Sequence, residues 1–166
     1  GIERREFGAT MGAMISDGQR DRAENLCRNA ERGGAKLVTG GHRLNQPGSF
    51  LAPTVFSDVS SDMEIAQTEV FGPVLTVLKT TSEAEAIKIA NGTDYGLVGG
   101  IFTADIDAAH RAARQIQAGQ IFINEWFAGG VETPFGGYGK SGYGREKGRE
   151  ALWNYVQTKN IAYRTR

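Results

Sequence analysis

A single cysteine, Cys27, is the whole thiol inventory of this 166-residue sequence. No internal disulfide can form, and a reducing compartment such as the cytoplasm is the simpler expectation. Histidine is almost as scarce. His42 and His110 stand alone, with no second ligand at metal spacing, so no metal site is expected. Neither sign of charge is in excess, with 19 Lys and Arg against 19 Asp and Glu. No global field therefore draws the chain to nucleic acid or to an anionic membrane. No apolar run is long enough to span a bilayer, and no signal-peptide pattern is visible. The chain opens GIERREFG without a Met, which fits a tag remnant, a cleavage product or a fragment.

Glycine is what the chain has in plenty: 23 residues, about twice the usual share, so close packing or unusual backbone geometry matters at many places. Otherwise the composition is that of a soluble globular chain, one domain or a large piece of one. Asp17 to Arg32 reads as an exposed helix capped by Ser16 or Asp17 and ended by Gly33-Gly34. AKLVTGG (35–41) reads as a strand, and FLAPTVF (50–56) as extended, with Pro53 marking an edge or an irregularity. Next, PVLTVLK (73–79), GLVGGIFT (96–103) and QIFIN (120–124) are apolar strand patterns. They alternate with helix patterns at 82–91, where Ser82 and Glu85 make a capping box, and at 105–116. The order β-α-β-α-β predicts an α/β fold, a parallel sheet flanked by helices, with strands covered on both faces. A helix around 146–156 and a final strand at 158–166 complete the expectation.

The loop PFGGYGKSGYGREKG (134–148) invites a phosphate reading and fails it. A P-loop requires glycine where the chain has Pro134. A dinucleotide fingerprint should follow a strand directly and open a helix, whereas Gly137 lies thirteen residues past Asn124. Triphosphate binding is therefore set aside, and the glycines read as a tight loop with φ > 0 or backbone packed on backbone.

Several segments together carry a more specific signal. MGAMISDGQRDR, AKLVTGG, APTVF, QTEVFGPVL, AIKIANGTDYGL, IFTAD, AGQIFIN and ETPFGGYGKSGYGREKG resemble, in order and spacing, segments of the aldehyde dehydrogenase superfamily. The resemblance covers nearly the whole chain and falls on the closing part of that family's sequence. It implies that residues 1–156 are the C-terminal part of the catalytic domain and 157–166 an oligomerisation strand. It also implies an oxidoreductase that uses NAD or NADP to convert an aldehyde to a carboxylic acid. In the family a cysteine thiolate adds to the aldehyde, hydride passes to the nicotinamide, and a glutamate activates the water that hydrolyses the thioester. Both groups belong to a region without counterpart here, so no catalytic residue is assigned and the isolated chain is expected to be inactive. Cys27 sits mid-helix, far from the family's G-Q-x-C setting, and reads as a packing residue.

What the resemblance leaves is supporting machinery. Glu69 of E-x-F-G-P-V matches the carboxylate that accepts hydrogen bonds from the nicotinamide ribose, against the plainer reading of a capping carboxylate. Phe71 matches the aromatic beside the nicotinamide. Gln19 and Arg22 lie where the family often contacts the adenosine ribose, or simply on a solvated helix face. Trp126, Phe127 and Phe135 fall in the loop that lines the family's substrate tunnel, with core packing an equal reading for Phe135. The departures are Thr68, where many members carry a second glutamate, and Ala13, where proline is common. Lys140 and Arg145 read as ion-pair partners, and the Asn124 amide as a tie to the backbone. Aldehyde substrate and a homo-oligomer through the C-terminal strand are the expected partners. A non-catalytic oligomerisation module that binds full-length relatives is the alternative.

Overall fold

Ser16 starts the first helix as its position suggests: its Oγ accepts from the Gln19 amide at 3.2 Å and α1 runs Asp17–Arg32. The computed structural model describes residues 11–127 and 129–165. The opening GIERREFG and Arg166 lie outside the described residues. The chain divides into two compact units, Gly1–Thr80 and Thr81–Arg166.

In the first unit α1 buries Ala23, Leu26, Cys27 and Ala30, spaced as one helix face, and stops at Gly33. The Gly34 backbone, at φ 97°, turns the chain into β1 (Lys36–Thr39). Strand β2 (Thr54–Ser57) lies between antiparallel β1 and parallel β3 (Val74–Thr76). Pro53 is therefore not at a sheet edge. It immediately precedes the central strand, where its missing N–H breaks no ladder, and the register irregularity, between Leu37 and Thr39 of β1, lies across from Val55 and Phe56. Phe56 is fully buried against the α1 face, with Ile65 of the short α2 (Glu64–Gln67), Val59 and Val70 closing the core.

The second unit begins with α3 (Glu83–Ala90), capped by Ser82, whose Oγ accepts from the Glu85 amide at 3.2 Å. The capping box closes differently from the sequence pattern. Glu85 reaches past Ser82 and accepts from the N–H and hydroxyl of Thr81, both at 2.7 Å, which holds its carboxyl below the usual range. Strand β5 (Val98–Ile101) pairs in parallel with β6 (Gln120–Ile123) through α4 (Ile106–Gln115), a β-α-β crossover. Tyr95–Gly96 (β4) pairs antiparallel with Tyr138–Gly139 (β7).

The expected alternation is thus realised as two parallel pairs, β2–β3 and β5–β6, each within its own unit. Two other expectations are corrected. The helix near 146–156 is a 3₁₀ turn, Arg149–Tyr155, because Glu146 is bridged to Phe135 and Gly148, at φ 58°, gives no side-chain cap. Residues 156–165 form no strand; they are exposed and have no sheet partner among the described residues. A strand needs a neighbour to accept its ladder, and the described residues offer this stretch none.

Candidate functional site

Glu69, Val70 and Phe71 alternate out, in, out. Val70 is part of the first unit's core, while Glu69 is exposed and the Phe71 ring is 70% exposed. The Glu69 carboxylate has no hydrogen-bond or ion-pair partner among the described residues, so it caps nothing there and is a free acceptor pair. Phe71 holds φ 53°, a left-handed backbone uncommon for a bulky side chain. Behind it Gly72 permits a close approach: a Cβ there would lie 3.0 Å from the Met14 Cε.

Gln19 and Arg22, one turn apart on α1, converge on this segment. The Gln19 Nε2 donates to the carbonyls of Val70 at 2.9 Å and Phe71 at 3.2 Å. The Arg22 Nη1 donates to Val70 at 3.3 Å and Glu69 at 3.4 Å. All four residues named for the cofactor are thereby brought together, though Gln19 and Arg22 spend their donors on backbone. Gln19 is half-buried, whereas Arg22 is exposed as a solvated helix face would have it, with its guanidinium reaching back to the segment. Their partners lie 47 to 52 residues away, and no local pattern in the sequence announces them.

In the second unit β6 ends at Ile123 and is followed by Asn124, whose backbone turns at φ 55° and whose amide makes two 2.8 Å bonds to the Thr103 backbone. That turn folds Trp126 and Phe127 back over Phe122, with ring centroids 5.6–5.9 Å apart. Trp126 also lies against β5, where a Cβ at Gly100 would be 2.7 Å from its ring. Phe122 is the buried member that the sequence reading missed; its signal was a strand aromatic four residues before Trp126, across a turn. Phe135 stands apart from this trio. Its backbone exchanges hydrogen bonds with Glu146, and its side chain lines a separate groove of about 380 Å³ with Leu97, Tyr143 and Arg145.

The glycine loop is packed backbone on backbone. A Cβ at Gly119 would overlap the Gly136 carbonyl, and Gly139, at φ 57°, sits against the Asp94 carbonyl. Lys140 pairs with Asp94 at 2.7 Å. Arg145 is corrected: it forms no ion pair among the described residues but donates to the carbonyls of Gly137 and Gly144 and lies over the Tyr138 ring.

Cys27 is fully buried in α1, and burial, reinforced by Glu31 and Glu24, pushes its thiol up to about 11. It holds its proton at neutral pH, in the form that does not attack a carbonyl. Below it Glu24, 7% exposed, is bound by Arg43 and, at 2.8 Å, by Arg28, which together hold its carboxyl below the usual range.

Comparison with known proteins places this arrangement. An aldehyde dehydrogenase of Emericella nidulans is 46% identical over 153 residues, 92% of this chain and 31% of that protein. A betaine aldehyde dehydrogenase of Cereibacter sphaeroides is 46% identical over 151 residues, again 31% of its length. The chain thus spans about a third of the length of these curated relatives. The solved NAD+ complex of an aldehyde dehydrogenase from Bacillus cereus superposes with a TM-score of 0.87 at 41% identity, covering 92% of this chain and 31% of that one. A betaine aldehyde dehydrogenase from Staphylococcus aureus in complex with NAD+ gives 0.89 at 39%, covering 94% and 33%. The family model described as the aldehyde dehydrogenase family matches residues 3–161, and the chain belongs to that family.

Proposed function

We propose that this chain is the C-terminal portion of an NAD(P)-dependent aldehyde dehydrogenase, and that it contributes the seat of the nicotinamide ribose and part of the aldehyde's surroundings. The observation that carries this reading is the Glu69–Phe71 segment: an unpaired, exposed carboxylate beside an exposed aromatic on a left-handed backbone. A carboxylate with both oxygens free suits a vicinal diol, whose two hydroxyls donate to it. The acceptor pair therefore fits a ribose. NAD(P), when bound, accepts the hydride; Glu69 fixes where its ribose lies and Phe71 supplies an apolar wall. Trp126, Phe127 and Phe135 are assigned to the aldehyde's apolar surroundings, with Trp126 and Phe127 forming one wall and Phe135 lining a separate groove. The stretch 157–166 is assigned to subunit association. The reaction's thiolate and base are not assigned to this chain, since its one thiol is buried and protonated. A cytoplasmic setting belongs to the same reading. No helix among the described residues is long and apolar enough to cross a membrane.

The test is Glu69→Gln in the longer enzyme that carries this chain. A hydrogen bond to a charged group contributes about 1.5–3 kcal/mol, so single-turnover hydride transfer should slow roughly ten- to a hundredfold. An unchanged rate would remove Glu69 from the site. The chain by itself, incubated with NAD+ and a panel of aldehydes, should form no NADH; turnover lost on Cys27→Ala would make Cys27 the nucleophile after all.

A further inference from the structure

Phe71 adopts a backbone conformation that costs energy for a bulky residue, and such strain persists only where the surroundings impose it. Two things impose it here. Val70 is sunk in the core, and the carbonyls of Val70 and Phe71, in the two peptides that flank the Phe71 Cα, both accept from one side-chain amide, that of Gln19. Arg22 adds a second donor one helical turn on, to the carbonyls of Glu69 and Val70. Helix α1 is itself fixed by its buried face and by the Ser16 cap, so the donors sit on a rigid element.

We propose that Gln19, seconded by Arg22, is a positioning residue. It clamps the carbonyls of residues 69–71 so that the Glu69 carboxylate and the Phe71 ring are presented outward in a fixed geometry before any nucleotide arrives. This rests on the ribose reading of Glu69. It gives Gln19 and Arg22 an action through the segment's backbone.

The test uses a protease that cuts after glutamate, with cleavage at Glu69 and at the exposed Glu132 of the other unit followed by mass spectrometry. Gln19→Met keeps the length and removes both donors; Gln19→Lys restores a donor at similar reach. Each carbonyl hydrogen bond is worth a factor of roughly two to ten in the population of the released segment. Cleavage tracks that population when opening is fast. Gln19→Met should therefore raise cleavage at Glu69 about tenfold, leave Glu132 unchanged, and be largely reversed by Gln19→Lys. In the longer enzyme Gln19→Met should lower the hydride-transfer rate while KM for the aldehyde holds. Equal cleavage at Glu69 in the parent and Gln19→Met overturns the clamp. So does a parallel rise at Glu132, which would mean general loosening. A failure of the ribose reading shows separately, in Glu69→Gln turnover, and leaves the cleavage pattern untouched.

Discussion

The two units solve the burial problem differently. In the first, α1 lays a continuous face of Ala23, Leu26, Cys27 and Ala30 on a three-stranded sheet, and ten buried residues close one core around Phe56. In the second, the buried apolar side chains among the described residues are Ala109 and Phe122, and α3 buries none. Its strands β5 and β6 are as apolar as any in the chain, yet Phe102 is 68% exposed. An apolar groove of about 440 Å³ stays open between α3, α4 and β5, lined by Ala86, Ile87, Phe102 and Ile116. Apolar strands signal that cover exists, and in the second unit it has to come from elsewhere. The Glu69–Phe71 segment grows out of the closed unit, where it can be held rigidly; the aromatic trio grows out of the open one.

Core truncation should break this comparison most sharply. Phe56→Ala empties the centre of the closed core and should cost about 3–5 kcal/mol. Phe122→Ala should cost about 2 kcal/mol, because Trp126 and Phe127, both more than half exposed, can settle into the gap. Urea unfolding with hydrogen exchange of the α1 amides separates the two. Equal losses would mean that the second unit is as tightly closed as the first.

The next effect is electrostatic and confined to the first unit. Arg43→Leu leaves the Glu24 carboxylate with Arg28 alone. The variant should be less stable at pH 7, by an amount kept modest because the Arg43 side chain is half exposed. The sign of the pH dependence follows from the lowered Glu24 pKa. The ionised, paired carboxylate stabilises the fold above its ordinary value of 4.5, and this contribution is lost as pH falls through the lower folded value. Urea midpoints of parent and variant should therefore differ at pH 7 and converge toward pH 3. A constant difference would show that Arg43 acts by packing.

Much of this was legible in the sequence. Helices α1, α3 and α4 follow from their apolar spacing and from caps at Ser16, Ser82 and Asp105, all short-range signals. The strands at 36–39, 54–57, 74–76, 98–101 and 120–123 were equally plain, but their partners were not, and the short Tyr138–Gly139 strand lay hidden in the glycine loop. Whether Val74–Thr76 joins Thr54–Phe56 or a later strand is decided by packing at long sequence separation. The candidate site divides the same way. Glu69 and Phe71 could be named from a motif, whereas the donors that hold them, Gln19 and Arg22, are joined to them only by the fold. The final stretch has strand character at Ile161 and Tyr163, but no strand to pair with it lies among the described residues.

That stretch supplies the third prediction. Leu152, Trp153, Tyr155, Ile161 and Tyr163 are each at least 66% exposed, and such apolar side chains with an unpaired backbone favour association with another chain. Sedimentation at micromolar concentration should find dimers or larger species. Ending the chain after Val156 should weaken association at least tenfold, about 1.4 kcal/mol. A monomer unaffected by the truncation would mean that the open unit needs no partner.

The smallest effect tests whether the aromatic trio is core or adaptable surface. Gly100 in β5 leaves room for the Trp126 ring, and a Cβ there would stand 2.7 Å from Trp126 Cζ3. That atom is the edge of a side chain 53% exposed, so the ring can swing outward instead of straining the strand. Alanine also loses less backbone entropy on folding than glycine, a gain of about 0.4–1 kcal/mol that offsets the lost contact. Gly100→Ala should therefore leave stability nearly unchanged, within about 0.5 kcal/mol. In a Trp153→Phe background it should shift Trp126 emission to longer wavelength and raise its quenching by acrylamide. An unshifted spectrum with a clear loss of stability would mean that Trp126 is locked in place and the overlap is taken up by the strand. The open unit would then contain a rigid wall where this comparison expects a yielding one.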